Sequence, residues 1–191
     1  MASRGSIKSM KLQRLQSDNK LGIAIALTLI ALAVVSRIMP HPANFAPIAA
    51  VALFSGAILP RKLAISVPLL AMIISDLFIG LHPLIMFTWG TFALIAFLSS
   101  AKFRRVTPLA VVGSSAGASV LFYLVTNFGV WMEGRLYAQT FSGLVQCYYN
   151  ALPFFRNTLL GDVIFTSALF GIYAFSVELS KKHLDEKYIT R

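Results

Sequence analysis

The sequence has 191 residues, of which 57% are hydrophobic in type and only 13% are charged. About a quarter of the residues in a soluble domain are charged, and the apolar blocks here are too long for a core of this size to bury. The composition therefore excludes an ordinary cytosolic protein and predicts an integral membrane protein. The formal net charge of +10 would favour nucleic acid binding in a soluble protein, but in a membrane protein it indicates topology.

Six stretches of the chain are long and apolar enough to be predicted as membrane-spanning helices, which need about 20 residues each. The stretches are residues 21–39, 43–59, 63–81, 84–101, 106–128 and 158–177. In the second stretch, Asn44 and Pro47 are placed in the opening turns, where a missing backbone donor costs little. The predicted fold class is an all-α integral membrane protein with six transmembrane helices.

Residues 129–157, between the last two predicted helices, are too polar to span a membrane and too aromatic for a free linker. Within them, residues 139–150 are predicted to form an amphipathic helix that ends before Pro153. We interpret this outer segment as a lid over a pocket, because amphipathic rings bury area while keeping a polar group. An aromatic belt at the membrane interface is the alternative.

The basic residues predict the orientation of these helices. Of the 17 lysines and arginines, 14 fall on the side that holds both termini, and the other side has only Arg37, Arg135 and Arg156. Because cytoplasmic loops retain positive charge, both termini are predicted to be cytoplasmic (N-in, C-in). Nucleic acid is not expected as a partner.

This topology divides the chain into a basic tail at 1–20, a six-helix domain at 21–180 and a second basic tail at 181–191. We expect the first helix to be an uncleaved anchor. A cleaved signal peptide and an organellar transit peptide are the alternatives that the sequence leaves open.

Two carboxylates, Asp76 and Asp162, lie about four residues from the outer ends of their predicted helices, or ~6 Å deep. A charge inside the bilayer costs at least ~2.5 kcal/mol, so both side chains should face protein or water. One interpretation pairs them with Arg37 and Arg156 to lock the bundle. The other, given equal weight, has them contact a ligand in a shared cavity that opens outward.

The candidate ligand-binding residues are polar or aromatic groups at the predicted outer ends of the helices. They are Arg37, His41, Asn44, Asp76, His82, Asn127, Trp131, Arg156 and Asp162. Neither His41 nor His82 has a partner at metal-ligand spacing, so no metal site is predicted. The single cysteine, Cys147, excludes an internal disulfide or a cysteine cluster from this chain alone, and we interpret it as a packing residue.

Three short patterns refine the prediction. Thr158, Asp162 and Thr166 recur at i, i+4 and i+8, which makes one polar stripe that should face inward. Small residues at Gly113 and Gly117, and at Ala46 and Ala50, predict close approaches between helices. The sequence has no Walker A loop, G-x-S-x-G elbow or H-E-x-x-H pair, so we expect no enzyme and no cofactor.

Four motifs resemble those of a family of small, uncharacterised bacterial membrane proteins. They are RIMPHPANFAPIAAVALFSGA at 37–57, DLFIGLHP at 76–83, TNFGVW at 126–131 and CYYNALPFFRNTLLGD at 147–162. Members of the family resemble in turn the substrate-binding S-components of energy-coupling factor transporters. That resemblance implies a vitamin-like or metal-related small molecule bound near the outer face. It also implies docking to a transmembrane coupling subunit driven by ATPases, although the nearest small pair in the first helix is Gly22 and Ala26 rather than two alanines.

The resulting hypothesis is a non-enzymatic membrane subunit that captures a small solute for uptake, located in the bacterial cytoplasmic membrane with the lipid bilayer around it. The alternative is a structural or accessory membrane protein that assembles with a larger complex. A third class, an intramembrane enzyme built on Asp76 and Asp162, requires the two carboxylates to lie together.

Overall fold

The computed structural model describes residues 10–11, 19–102 and 105–189, and it is all-α apart from one short strand pair. The helices are α1 (Asn19–Ile38), α2 (Ile48–Ile58), α3 (Arg61–Ile79), α4 (Ile85–Lys102), α5 (Pro108–Glu133) and α6 (Phe141–Ile189). The two-residue strands β1 (Met10–Lys11) and β2 (Arg105–Val106) pair antiparallel. An all-α fold with six helices is thus confirmed for the described residues.

Among the described residues, four helices are long and apolar enough to cross a membrane. They are α1, α3, α5 and the part of α6 at Phe141–Leu179, whereas α2 and the apolar part of α4 at Ile85–Ala101 are shorter. Large apolar side chains remain exposed along the long helices, among them Leu27 and Phe78. Such surfaces are those of a membrane protein, since lipid replaces water around them.

Helix α2 lies at the centre of the bundle, where all of its 11 residues are buried against α3, α4 and α6. At 1.5 Å per residue it is about 17 Å long, well short of the hydrocarbon core of a bilayer. The prediction that a helix covers residues 43–59 is therefore wrong at its start. Pro47 lies before the first helical residue, and Asn44 has a left-handed backbone with φ of +61°, which a right-handed helix does not accommodate.

The predicted outer segment at 129–157 is divided between two helices. Helix α5 runs on to Glu133, and α6 begins at Phe141 and continues through Pro153. The prediction of a helix that ends before Pro153 is wrong, because α6 is helical on both sides of the proline. Packing around this turn offsets the lost hydrogen bond and the clash of the ring with the preceding turn. The Tyr123 hydroxyl donates to the Tyr148 carbonyl (2.6 Å), and Tyr123 also packs on Phe155.

A close approach between two helices occurs at Gly56 of α2 rather than at the predicted glycine pair. A Cβ built at Gly56 would lie 2.5 Å from the Ala96 carbonyl oxygen and 2.6 Å from the Ser99 Cβ of α4. Cβ atoms built at Gly113 and Gly117 meet nothing within 4 Å. Small residues in a membrane helix therefore need not mark its packed face.

The remaining predictions about organisation concern the two basic tails and the small-residue pair in α1. Most of the predicted 1–20 tail lies outside the described residues, and residues from 181 onward continue α6 as far as Ile189. Gly22 and Ala26 are both buried in the bundle, with Leu63 of α3 beside Gly22. This small pair is therefore already occupied by packing within the chain.

Candidate functional site

Arg37, in the last turn of α1, is fixed by α3. Its Nη1 donates to Ser75 Oγ (2.5 Å), lies 3.1 Å from Met72 Sδ, and is 2.7 Å from Asp76 Oδ1. Ser75 in turn donates to the Ala71 carbonyl of its own helix (2.6 Å). The guanidinium is only partly exposed. Its contact with Oδ1 confirms the sequence prediction that Arg37 pairs with Asp76.

The carboxylate of Asp76 is fully buried and has a second partner from α4. Trp89 Nε1 donates to Asp76 Oδ2 (2.7 Å), and His82 Nε2 lies 3.7 Å from the same oxygen. The short connection between α3 and α4 makes them a hairpin, which brings Trp89 in the second turn of α4 next to Asp76 in the last turn of α3. The buried charge is thus compensated by a cation and a charge-assisted hydrogen bond.

A cavity of about 290 Å³ opens beside this ion pair. Arg37, His41 and His82 contribute basic side chains to it, and Asp162 contributes a carboxylate. The remaining wall comes from the 39–47 segment and from helices α2 to α6, and it combines apolar side chains such as Phe92 and Phe122 with the polar groups of Asn44, Thr88 and Thr158. Asp76 is not part of the lining and acts on the cavity only through the groups that it holds.

A second cavity of about 200 Å³ adjoins the first. The two share Asn44, Thr88, Phe122 and Thr158 as walls, while Phe154 and Phe155 of α6 line only the second. Because they share these walls, we describe them as two lobes of one cleft. The polar lobe is the 290 Å³ cavity near Arg37, and the more aromatic lobe is the 200 Å³ cavity between α5 and α6.

The polar stripe of α6 faces the bundle, as its spacing predicted. Thr158, Asp162 and Thr166 are all buried. Asp162 does not pair with Arg156, and that predicted pairing is wrong: Asp162 Oδ2 accepts a hydrogen bond from Ser119 Oγ of α5 (2.6 Å). Six residues separate 156 from 162, which puts the two side chains about 120° apart around a helix, and Arg156 is exposed.

The other predicted site residues divide between the cleft and the packing around it. Asn127 lines the aromatic lobe, and its side-chain amide donates to the Tyr123 carbonyl (2.8 Å). Trp131 lines neither lobe; its indole donates to the carbonyls of Ala138 (3.0 Å) and Thr140 (3.2 Å) and so fastens the α5–α6 turn. The buried Cys147 thiol lies 3.3 Å from the Asn127 carbonyl, as a packing residue would.

Part of the segment predicted as a lid, residues 129–157, lines the cleft: Val130, Ala151, Phe154 and Phe155 contribute to the aromatic lobe. Residues 134–150 in the middle of it line neither lobe, and aromatic residues of this region pack α5 on α6, as in the Tyr123 and Tyr148 pair. The 39–47 segment also lines the cleft, through His41 and Asn44. The Asn157 amide donates to the Ala43 carbonyl (3.1 Å) and ties that segment to α6.

One protein family matches most of this chain. The model of a family of unknown function, DUF6580, matches residues 17–184. The chain belongs to DUF6580. No curated protein and no solved structure matches it.

Sequence reasoning missed several groups that build the site of this DUF6580 chain. Trp89 and Ser75 hold the ion pair, and Ser119 holds Asp162. A signal for Trp89 existed, because a short α3–α4 hairpin sets residues 76 and 89 opposite each other. The described part of the DUF6580 chain contains no group of three or more histidine, cysteine, aspartate or glutamate residues that could hold a metal ion.

Proposed function

We propose that this DUF6580 protein is a substrate-binding subunit that captures a small solute at the outer face of the bacterial cytoplasmic membrane. It is not an enzyme in this proposal, and it resembles the S-components of energy-coupling factor transporters in size, helix number and site position. The cleft is the solute site. A transmembrane coupling subunit with ATPases is the partner that would move the solute inward.

The observation that carries the proposal is Arg37, which is held on the wall of the polar lobe by Ser75, Met72 and Asp76. A guanidinium fixed before a ligand arrives loses little conformational entropy on binding, so it is suited to recognition. Arginine recognises carboxylate and phosphate groups through paired hydrogen bonds. His41 and His82 on the same wall favour the same kind of ligand group.

The two lobes support a solute with two unlike ends. An anionic or hydrogen-bond-accepting end fits beside Arg37, and a flat apolar part fits among Phe122, Phe154 and Phe155. Ligand sites are commonly apolar clefts of about 300–1,000 Å³ with a few placed polar groups. The chemistry is that of a vitamin-like molecule with a negatively charged or polar end.

The membrane placement in this proposal has six crossings and both termini in the cytoplasm, as the basic residues favour. The 11-residue α2 is the difficult element, since alone it is too short to span. It touches no lipid because all of its residues are buried. Irregular backbone at membrane depth is tolerated where it lines a water-filled cavity, and the 39–47 segment that completes this crossing lines the cleft.

Native mass spectrometry of the protein extracted gently from its own membrane tests the proposal. A small molecule released in stoichiometric amount from the wild type is the expected result, with elemental analysis to detect a metal-bearing one. Arg37→Gln should reduce its occupancy by tenfold or more. Arg135→Gln is the matched control, because Arg135 is exposed and pairs only with the nearby Glu133 (2.9 Å) among described groups.

Two outcomes would contradict the proposal. Equal occupancy in Arg37→Gln and the wild type would move the solute away from the polar lobe. An empty protein that carries a fixed protein partner without ATPase subunits would favour the accessory function instead.

A further inference from the structure

The buried carboxylate of Asp162 lacks the compensation that Asp76 has. Asp162 is 2% exposed, and its Oδ2 accepts a hydrogen bond from the neutral hydroxyl of Ser119. Within the described residues, no lysine, arginine or histidine nitrogen comes within 4 Å of it, although Arg37, His41 and His82 line the same polar lobe. A buried carboxylate needs a counter-charge or a proton.

Two further hydroxyls lie on the same faces of the same two helices. Ser115 precedes Ser119 by four residues on α5, and Thr166 follows Asp162 by four residues on α6, so each pair shares a helix face. The antiparallel packing that brings 119 to 162 also sets 115 opposite 166. Both hydroxyls are fully buried, and neither Ser115 Oγ nor Thr166 Oγ1 has a hydrogen-bond partner in the part of the chain that the structure describes.

We propose that Asp162, Ser119, Ser115 and Thr166 form a Na⁺ site that extends from Asp162, on the wall of the polar lobe, one helical turn deeper to Ser115 and Thr166. Carboxylate and hydroxyl oxygens are the ligands that hard cations take. Asp162 supplies one negative charge, which a monovalent ion neutralises, whereas a divalent ion would leave a net charge in an apolar interior. Coupling ions in membrane transporters bind at such intramembrane sites next to the substrate.

A proton on Asp162 explains the structure less completely than a cation does. Protonation removes the buried charge but leaves the Ser115 and Thr166 hydroxyls without partners. A coordinated ion uses the lone pairs of all four groups at once. The inference goes beyond solute capture and does not depend on it, since an ion can bind while the cleft is empty.

Thermal unfolding of the detergent-solubilised full chain tests this site, with NaCl replaced by choline chloride at constant ionic strength. Raising Na⁺ tenfold above its dissociation constant should raise the unfolding midpoint of the wild type by about 3 °C or more. Asp162→Asn and Thr166→Val should lose this shift. Thr91→Val is the matched control, because the Thr91 hydroxyl is also buried but donates to Phe87 within its own helix (2.6 Å).

Equilibrium binding of radioactive Na⁺ provides a second measurement that does not depend on unfolding. We expect one Na⁺ site per chain in the wild type and in Thr91→Val. Binding should be at least tenfold weaker in Thr166→Val. That variant tests the site even when Asp162→Asn fails to fold. Equal stability in Na⁺ and choline would overturn the proposal. So would a Na⁺ effect that survives in Thr166→Val, or stabilisation that follows proton concentration alone.

Discussion

Arg37 and Asp76 join the end of α1 to the end of α3 through a 2.7 Å contact between Nη1 and Oδ1, at a point where Asp76 is fully buried and Arg37 is partly buried. The pair does two things at once. It compensates a carboxylate that the bundle could not otherwise bury, and it aims the guanidinium at the polar lobe of the cleft. Loss of either partner should therefore affect both the stability of the protein and the cleft.

Asp76→Asn should lower the free energy of unfolding by about 3–5 kcal/mol, because it removes the counter-charge from the partly buried Arg37 guanidinium. Trp89→Phe removes only one hydrogen bond to the carboxylate and should cost about 1.5–3 kcal/mol. The double variant Arg37→Met with Asp76→Asn should be more stable than Asp76→Asn alone. Unfolding in detergent followed by circular dichroism measures all three, and an Asp76→Asn variant as stable as the wild type would contradict the role of the pair.

Two glycines provide a matched test of helix packing. Gly56→Ala should destabilise the protein by about 1–3 kcal/mol through overpacking, because the new methyl group meets the Ala96 carbonyl and Ser99. Gly117→Ala adds its methyl group where nothing lies within 4 Å, so it should be neutral or stabilising by up to about 1 kcal/mol. The same unfolding measurement compares them, and a reversed order of stabilities would mean that α2 does not pack on α4 in this way.

Much of the fold follows from physical rules that act on the sequence alone. Because a charge is costly in an apolar medium, Asp76 and Asp162 were predicted to lie inside the bundle. The i, i+4 spacing predicted Thr166 on the same helix face as Asp162. All three residues are buried in the structure. Hydropathy could not distinguish the short buried α2 from a helix in contact with lipid, because both are apolar on every side. It also could not foresee that contacts of Tyr123 would carry α6 past Pro153.

The site was only partly accessible to such reasoning. One cavity is lined by five of the predicted site residues, Arg37, His41, Asn44, His82 and Asp162. The predicted pairing of Asp162 with Arg156 is wrong, because the two side chains point in different directions around the same helix. Ser119 contacts Asp162 only because particular faces of α5 and α6 meet. The residue spacing along each helix does not show which faces of two helices will pack together.

The orientation of the chain can be tested with its single cysteine removed. Cys147→Ala should be a tolerated background, because the thiol is buried and makes one weak contact. In that background, Ala138→Cys in the α5–α6 turn should react with a membrane-impermeant maleimide in intact cells. Lys62→Cys, at the opposite end of the bundle, should react only after the cells are permeabilised. The reverse pattern would overturn the N-in, C-in topology.

Asn44 separates the backbone requirement of the 39–47 segment from the chemistry of the cleft. Its φ of +61° is open to glycine and tolerated by asparagine, but a β-branched residue there is strained by about 1–2 kcal/mol. Asn44→Gly should therefore keep the stability of the wild type, whereas Asn44→Val should lower it by that amount. Because the Asn44 side chain lines both lobes, Asn44→Gly should still weaken retention of the co-purified small molecule in native mass spectrometry. A glycine variant that retains the molecule fully would restrict the role of Asn44 to the backbone turn.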